Sequence, residues 1–527
     1  MQMIIALSLI PLVLFFAIIF FVRKGVLLAA LISLIATVLI SFLVWQVDIA
    51  RVAVAGAQGL FIAAEIILII FGALLMLGAL EKKNSLPFLK SLFDSVSSDK
   101  RVHVILIGWG LIYFLEGVAG FGTPAVIAIP LFLALGFAPL TAVVLSLIGD
   151  SVPVIFGAIG LPVTYGLLAP LAGFGVDATF GEGLLMVIAA LNFIGSAIIP
   201  VALLFVFSRI EKKPFSHFME FVPFALMAGF VTSLAAFATA YFIGPELPSV
   251  VGGIVAIACI SLMAKYHILT PRTEAVEMIP PVEHLKNRRA NTIRSLSPYA
   301  ILLVLLIVSR LPFLPFREWL TSTFAVQTPS LLGFTLNYSF YPLYSAGTFM
   351  LVAALAAFLI LKLTAKEIAE VIVEGAKKIM LPFTTLVLIL AFVQVFIASG
   401  DNASGLPSML FVLARAAGET FGPVWPLVAP AIGALGSFAA GSATVSNIIF
   451  SGFHYQTALG VGFNPILILS LQGVGAAAGN MIALHNVIAA LTIAGLVGKE
   501  RNVIRQNLPV LLIYLLIIGL VGLVLAR

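Results

Sequence analysis

The sequence is almost without cysteine and poor in charge. Cys259 is the single cysteine among 527 residues, so no intramolecular disulfide is possible. Set in an apolar run, it reads as a small buried hydrophobe. No CxxC pair or histidine-rich cluster suggests a metal site. Neither HExxH nor the phosphate-binding GxxxxGK[ST] occurs, which argues against a zinc hydrolase and an ATP-driven pump. No nucleophile–base pair stands out, so an enzyme is not expected, and no cofactor is expected. Asp, Glu, Lys and Arg together supply 9% of the chain, against about 25% in a soluble domain. That inventory cannot build a water-soluble surface.

What the chain has instead is hydrocarbon. Apolar residues make up 62% of it, and the mean hydropathy is +1.21. A bilayer core of about 30 Å needs about 20 apolar residues in helical form. Such spans are expected near 3–22, 25–45, 55–80, 184–207, 221–243, 249–264, 296–316, 344–362, 379–399 and 507–526. The stretch at 3–22 is too long for the apolar core of a cleaved signal peptide and is followed by Arg23-Lys24, so it reads as a membrane helix. The basic residues cluster between apolar runs, at Lys82-Lys83, Lys100-Arg101, Lys212-Lys213, Arg288-Arg289 and Lys377-Lys378. Cytoplasmic loops carry this bias, whereas a nucleic-acid surface needs the charge gathered on one soluble face. No nucleic-acid partner is expected. Followed from loop to loop, the bias puts both termini outside and makes 265–295 a cytoplasmic linker between halves at 1–264 and 296–527.

Two apolar regions, about 102–170 and 424–497, cannot be cut into clean 20-residue helices. They share an order of motifs. AGFGT at 119–123, GFAP at 136–139 and LSL at 145–147 match AGSAT at 440–444, GFNP at 462–465 and LSL at 469–471. The charge bias has the first region entered from inside and the second from outside. Similar sequence in opposite orientation is the mark of an inverted-topology repeat. The expected fold is therefore an all-α integral membrane protein of about 12–16 segments, with interrupted or re-entrant helices in each repeat.

In such proteins substrate binds near the midplane, where interrupted helices from the two halves meet. Gly120, Gly122, Thr123 and Pro124 read as a break followed by a helix start, and Gly441, Ser442 and Thr444 as its counterpart. Free helix N-termini carry unpaired N–H groups and partial positive charge, which suits a carboxylate. Ionisable residues within spans are costly and become functional candidates. Glu116 and Asp150 flank predicted breaks, and Glu65 lies mid-span. These three are the candidates for proton coupling, with Glu65 equally able to serve as a structural partner to a helix end. Ser151, Asn447, Asn480 and His485 join the expected substrate contacts, and Ser446, Gln472 and Asn486 are further polar groups nearby. Arg310 is expected to snorkel outward, and His454 to lie at the interface.

The residues of these two regions give the chain a resemblance to the lactate permease family of bacterial lactate and glycolate carriers. It rests on EGVAGFGTP at 116–124, DSVPVIFGAIG at 150–160, GSFAAGSATVSN at 436–447 and GNMIALHN at 479–486. SPY at 297–299 and YSAG at 344–347 agree more weakly, and the match runs nearly the whole length. Two positions depart from the commonest pattern. Gly149-Asp150-Ser151 stands where many members have an Ala-Asn-Thr sequence, and Leu484 stands where a proline often precedes His-Asn. The resemblance implies proton symport of a small 2-hydroxymonocarboxylate across the cell membrane by a protein with re-entrant hairpins. A sodium-coupled carrier of another organic anion is the alternative. Partners are then a small carboxylate, protons and the lipid bilayer.

Overall fold

The computed structural model describes residues 2–19, 26–83, 85, 96–120, 123–270, 288–310, 316–496 and 498–526. Among them, eleven helices are long and apolar enough to cross a membrane, and four shorter apolar helices accompany them. The first half contains α1 (Gln2–Ala17), α2 (Val26–Leu43), α3 (Ile49–Lys82), α4 (Lys100–Val118), α5 (Thr123–Ala134) and α6 (Pro139–Gly149). An irregular stretch then leads to α7 (Ala178–Ile210), α8 (Val222–Phe242) and α9 (Pro248–Lys265). The second half contains α10 (Arg288–Arg310), α11 (Ala346–Ile360), α12 (Ala365–Ala398), α13 (Met409–Phe421), α14 (Trp425–Ala440) and α15 (Ala443–Val461). It ends with α16 (Pro465–Gly479), α17 (Leu484–Ile493) and α18 (Glu500–Leu525). Most of the expected linker, 271–287, lies outside the described residues, and α10 begins within its last part.

Among the described residues, a β-hairpin interrupts the helices. The strands β1 (Val326–Leu331) and β2 (Phe334–Phe340) pair antiparallel around Leu332 and Gly333, both at positive φ. Alternation over such short runs is a weak signal beside long apolar helices, so the all-α expectation does not include the hairpin.

Burial sorts the helices into layers. The α4 span and the 465–493 span, which takes in α16 and α17, are each 94% buried, whereas α2 and α18 are 28% buried. The two regions that would not divide into clean helices are therefore the centre of the protein, wrapped by ordinary apolar spans.

The helices α3 and α12 form the longest strut. Each has 34 residues, or about 50 Å of helix. They run antiparallel, pinned at one end by Lys82–Glu370 (2.9 Å) and Lys83–Glu367 (2.8 Å) and at the other by Arg51–Asp401 (2.6 Å). Thr364 and Glu367 cap the start of α12 reciprocally, satisfying two of its otherwise unpaired N–H groups. In between, Gly59 lets the backbones touch. A β-carbon there would lie 2.6 Å from the Ala391 nitrogen. Lipid-embedded helices gain little from apolar burial against each other, so close approach at small residues does the work. Replacing Gly59 by Val should push the strut apart and destabilise the protein by at least 1–3 kcal/mol, the usual scale of overpacking being about that. Thermal unfolding in detergent reads it as a lowered Tm.

Candidate functional site

Each central region is a helix that stops, a break, and a second helix that begins. In the first, α4 ends at Val118, Gly120 adopts φ +57°, and α5 starts at Thr123. In the second, α14 ends at Ala440, Gly441 adopts φ +72°, and α15 starts at Ala443 behind the cap Ser442. The turns at Gly136 (φ +76°) and Gly462 (φ +85°) also correspond, and each precedes a helix with proline at its first position. Both following helices, α6 and α16, then break a second time, at Asp150 and Asn480. The left-handed backbone at Gly120 and Gly441 is open to glycine without steric cost.

These second breaks meet. Asn480 Nδ2 donates to the Asp150 backbone carbonyl at 2.9 Å, and Asn486 Nδ2 donates to Asn480 Oδ1 at 2.7 Å. A parallel tie lies alongside: Asn447 Nδ2 donates to the Pro162 carbonyl at 3.1 Å, and Gln472 Nε2 donates to Asn447 Oδ1 at 3.3 Å. Side-chain amides of one half thus satisfy carbonyls that the broken helix of the other half leaves over, which the interior requires.

Between the breaks lies a cavity of about 30 Å³. The first half contributes Glu116, Val154, Gly157, Ala158 and Pro162, and the second contributes Gly441, Ser442, Ala443, Thr444, Asn480 and Asn486. That volume accommodates one or two water molecules, so a larger solute needs the walls to move. No lysine or arginine lines it among the described residues. Its donors are the Asn480 and Asn486 amides, the Ser442 and Thr444 hydroxyls, and the first N–H groups of α15. Ser442 caps that helix by accepting from the Val445 N–H. The Glu116 Oε1 presses on the α-carbon of Gly157 so closely that a β-carbon there would overlap it. Asp150 is wholly buried beside Glu116, near enough for the two carboxyls to interact. Asp150 Oδ1 and Oδ2 and Glu116 Oε2 have no hydrogen-bond partner among the described residues.

The structure gathers most of the expected residues, with distinctions. Glu116, Gly441, Ser442, Thr444 and Asn480 line the cavity, and Asp150 stands beside it. Gly120 faces Ala158 of its wall. Asn447 is one layer behind. The Ser151 hydroxyl turns back to donate to the Ile148 carbonyl. His485 is exposed, its Nδ1 3.4 Å from Asn486 Oδ1, although its Cβ packs against Gly441. Glu65 is not among the residues lining the cavity and accepts from Tyr165 Oη at 2.8 Å, linking α3 to the first region. Gly122 and the side chain of Thr123 lie outside the described residues, as does the side chain of Arg310. His454, expected at the interface, is instead wholly buried in α15 among Trp425, Phe450 and Phe453. Gly157, Ala158 and Pro162 also line the cavity; the small size of Gly157 and Ala158 in the 150–160 motif was the available signal, and Pro162 lies just beyond that motif. Among the described residues, no three His, Cys, Asp or Glu side chains gather to hold a metal ion.

Removing the cross-tie should be felt as stability. Asn480→Ala leaves the buried Asp150 carbonyl and Asn486 amide unsatisfied, at a cost of about 1–3 kcal/mol. A drop in Tm of purified protein is expected, larger than for Ser151→Ala.

Comparison with known proteins finds one family over nearly the whole chain. The profile of the L-lactate permease family matches residues 3–527. An L-lactate permease of Bacillus subtilis is 28% identical, with 98% of this chain and 94% of that one aligned. The glycolate permease GlcA of Escherichia coli is 27% identical over the same shares. Among solved structures, the Alcanivorax borkumensis YdaH transporter aligns with 87% of this chain and 84% of its own at 14% identity, with a TM-score of 0.45, below the level at which a shared fold follows. The chain belongs to the L-lactate permease family, as a multi-pass membrane transporter of a small organic anion and not an enzyme.

Proposed function

We propose that the protein imports lactate or glycolate together with protons, and that the cavity between the two broken-helix regions is where substrate and proton meet. The observation that carries this reading is the pairing of opposite functions in one small space. The start of α15 and the Asn480 and Asn486 amides offer N–H groups to a carboxylate. On the facing wall stands the buried carboxyl of Glu116, with that of Asp150 buried behind it. Charge on both at once is costly at such separation in a dry interior, so a proton held between them is the natural cargo site. The family relatives named for lactate and glycolate support the substrate class.

Thr444 and Ser442 would hold the 2-hydroxy and carboxylate groups, and Gly441 and Gly120 would let backbone approach. The two regions are read as an inverted repeat on their shared order of breaks, positive-φ glycines and proline-led helices. With the basic loops inside, both termini face outside, and the halves at 1–264 and 296–527 rock about the shared cavity. Glu65 acts in this reading through Tyr165, as a brace between the α3 strut and the moving wall.

Uptake of labelled lactate into proteoliposomes, with and without an inward proton gradient and without sodium, tests the reading. Accumulation should collapse with a protonophore and be competed by glycolate but not by succinate. Uptake that requires sodium and ignores the proton gradient would remove the proton from the cycle. Glu116→Gln should abolish gradient-driven accumulation while exchange of pre-loaded substrate continues; loss of binding as well would move Glu116 to the substrate site or to folding. Thr444→Val should raise the apparent KM severalfold with a smaller change in maximal rate, as loss of a substrate hydrogen bond of about 0.5–1.5 kcal/mol requires.

A further inference from the structure

A second, larger cavity of about 740 Å³ lies on the other side of the first region's irregular stretch. Val163, Thr164, Asp177, Tyr241, Pro245 and Glu246 are among the residues lining it. Gly157, Ala158 and Pro162 line the small carboxyl cavity. One segment of chain therefore separates the two spaces, showing the residues before Val163 to one and those from Val163 onward to the other.

The backbone of that segment is strained where it divides them. Ala158 (φ 43°, ψ 51°), Ile159 (φ 58°, ψ 48°) and Gly160 (φ 74°, ψ 13°) form a left-handed turn. Six other non-glycine residues among those described have positive φ, but these two are consecutive and buried, with Ile159 only 2% exposed. For a β-branched residue such a conformation is a genuine outlier, disfavoured about tenfold relative to right-handed backbone. It persists because the surroundings demand it. A β-carbon at Gly160 would come within 2.5 Å of the Pro245 carbonyl oxygen, and one at Gly120 within 2.9 Å of the Ala158 side chain. Gly157, immediately before the turn, carries the Glu116 carboxyl on its α-carbon. Strain of this kind held by its neighbours is typical of switch segments.

We propose that residues 157–162 are the gate between the larger cavity, which acts as a vestibule, and the carboxyl cavity. The left-handed turn is its closed form, and the seat of Glu116 on Gly157 makes the gate and the carboxyl move together. Opening lets Ala158 and Ile159 leave the left-handed region and gives the small cavity the volume a solute needs. Gly157 and Ile159 are thus positioning residues for transport and touch no substrate in the closed form. The inference rests on the reading of the small cavity as the substrate site.

Cysteine accessibility in proteoliposomes tests it. In a Cys259→Ser background, Ala172→Cys places a thiol in the vestibule and Ala158→Cys one on the cavity side of the gate. A membrane-impermeant maleimide should label the vestibule thiol quickly with or without substrate. It should label position 158 at least tenfold more slowly at rest, rising toward the vestibule rate while lactate is transported. If another small carboxylate raises labelling and lactate does not, the gate stands and the lactate assignment falls. Equal labelling of both positions at rest, or no rise at 158 with any small carboxylate, overturns the gate. An independent variant reads the strain itself. Ile159→Gly removes the cost of the closed turn and should slow uptake per folded, reconstituted protein about tenfold, although loss of the buried side chain lowers Tm. Ile159→Val keeps the strain, loses one methyl, and should transport within about twofold of the parent. Uptake by Ile159→Gly at the parent rate would also overturn the proposal.

Discussion

Broken helices in an interior without water are the constraint on which the rest of this structure depends. Every interruption frees carbonyls and N–H groups that the bilayer cannot satisfy. Here the breaks at Asp150 and Asn480 are set against each other, so that an amide on one side meets a carbonyl on the other. Asn447 does the same for Pro162. The same stitches that make the breaks tolerable hold the two halves around a common cavity. In the proposed reading, binding chemistry and fold stability are thus one arrangement, and the outer helices serve to keep it out of lipid.

That shielding depends on close backbone contact more than on side-chain bulk. Gly59 against Ala391 and Gly149 against the Gly108 carbonyl are places where any β-carbon would intrude. The helix α4 accommodates the second contact by widening into a π-turn at Leu106–Leu111, a local irregularity that often accompanies functional sites. At the strut's ends, ion pairs fix the relative slide of α3 and α12. Exposed pairs of this kind contribute little to stability, and their geometric role in setting the register is the greater one.

The electrostatics of the cavity follow from what is missing as much as from what is present. With no cationic side chain in its lining among the described residues, the anion of the proposed reading is met by dipoles, which release it more readily than a salt bridge does. A carrier must let go on the far side, and a site built from N–H groups and amides suits that need. In the same reading, the buried carboxyls of Glu116 and Asp150 supply the titratable element a dipole cannot.

Much of this was legible in the sequence because hydrophobic length and glycine placement act locally. Twenty apolar residues make a span wherever they occur, and AGFGT and AGSAT mark breaks because only glycine takes the left-handed turn at Gly120 and Gly441 without strain. The sequence also placed Glu116 just before the first of those breaks and Asp150 beside a further one. What the sequence did not decide was which polar groups face each other across more than 300 residues. Ser151 and His485 sit in the same motifs as Asp150 and Asn486, yet one closes onto its own helix and the other points outward. His454 reads like any interfacial histidine until Trp425 and Phe453 close around it. Even the left-handed turn at Ala158 and Ile159 is invisible locally, since no propensity favours it. Those outcomes belong to packing between distant segments, where one side chain's direction is set by the shape of another helix, and only the tertiary structure decides them.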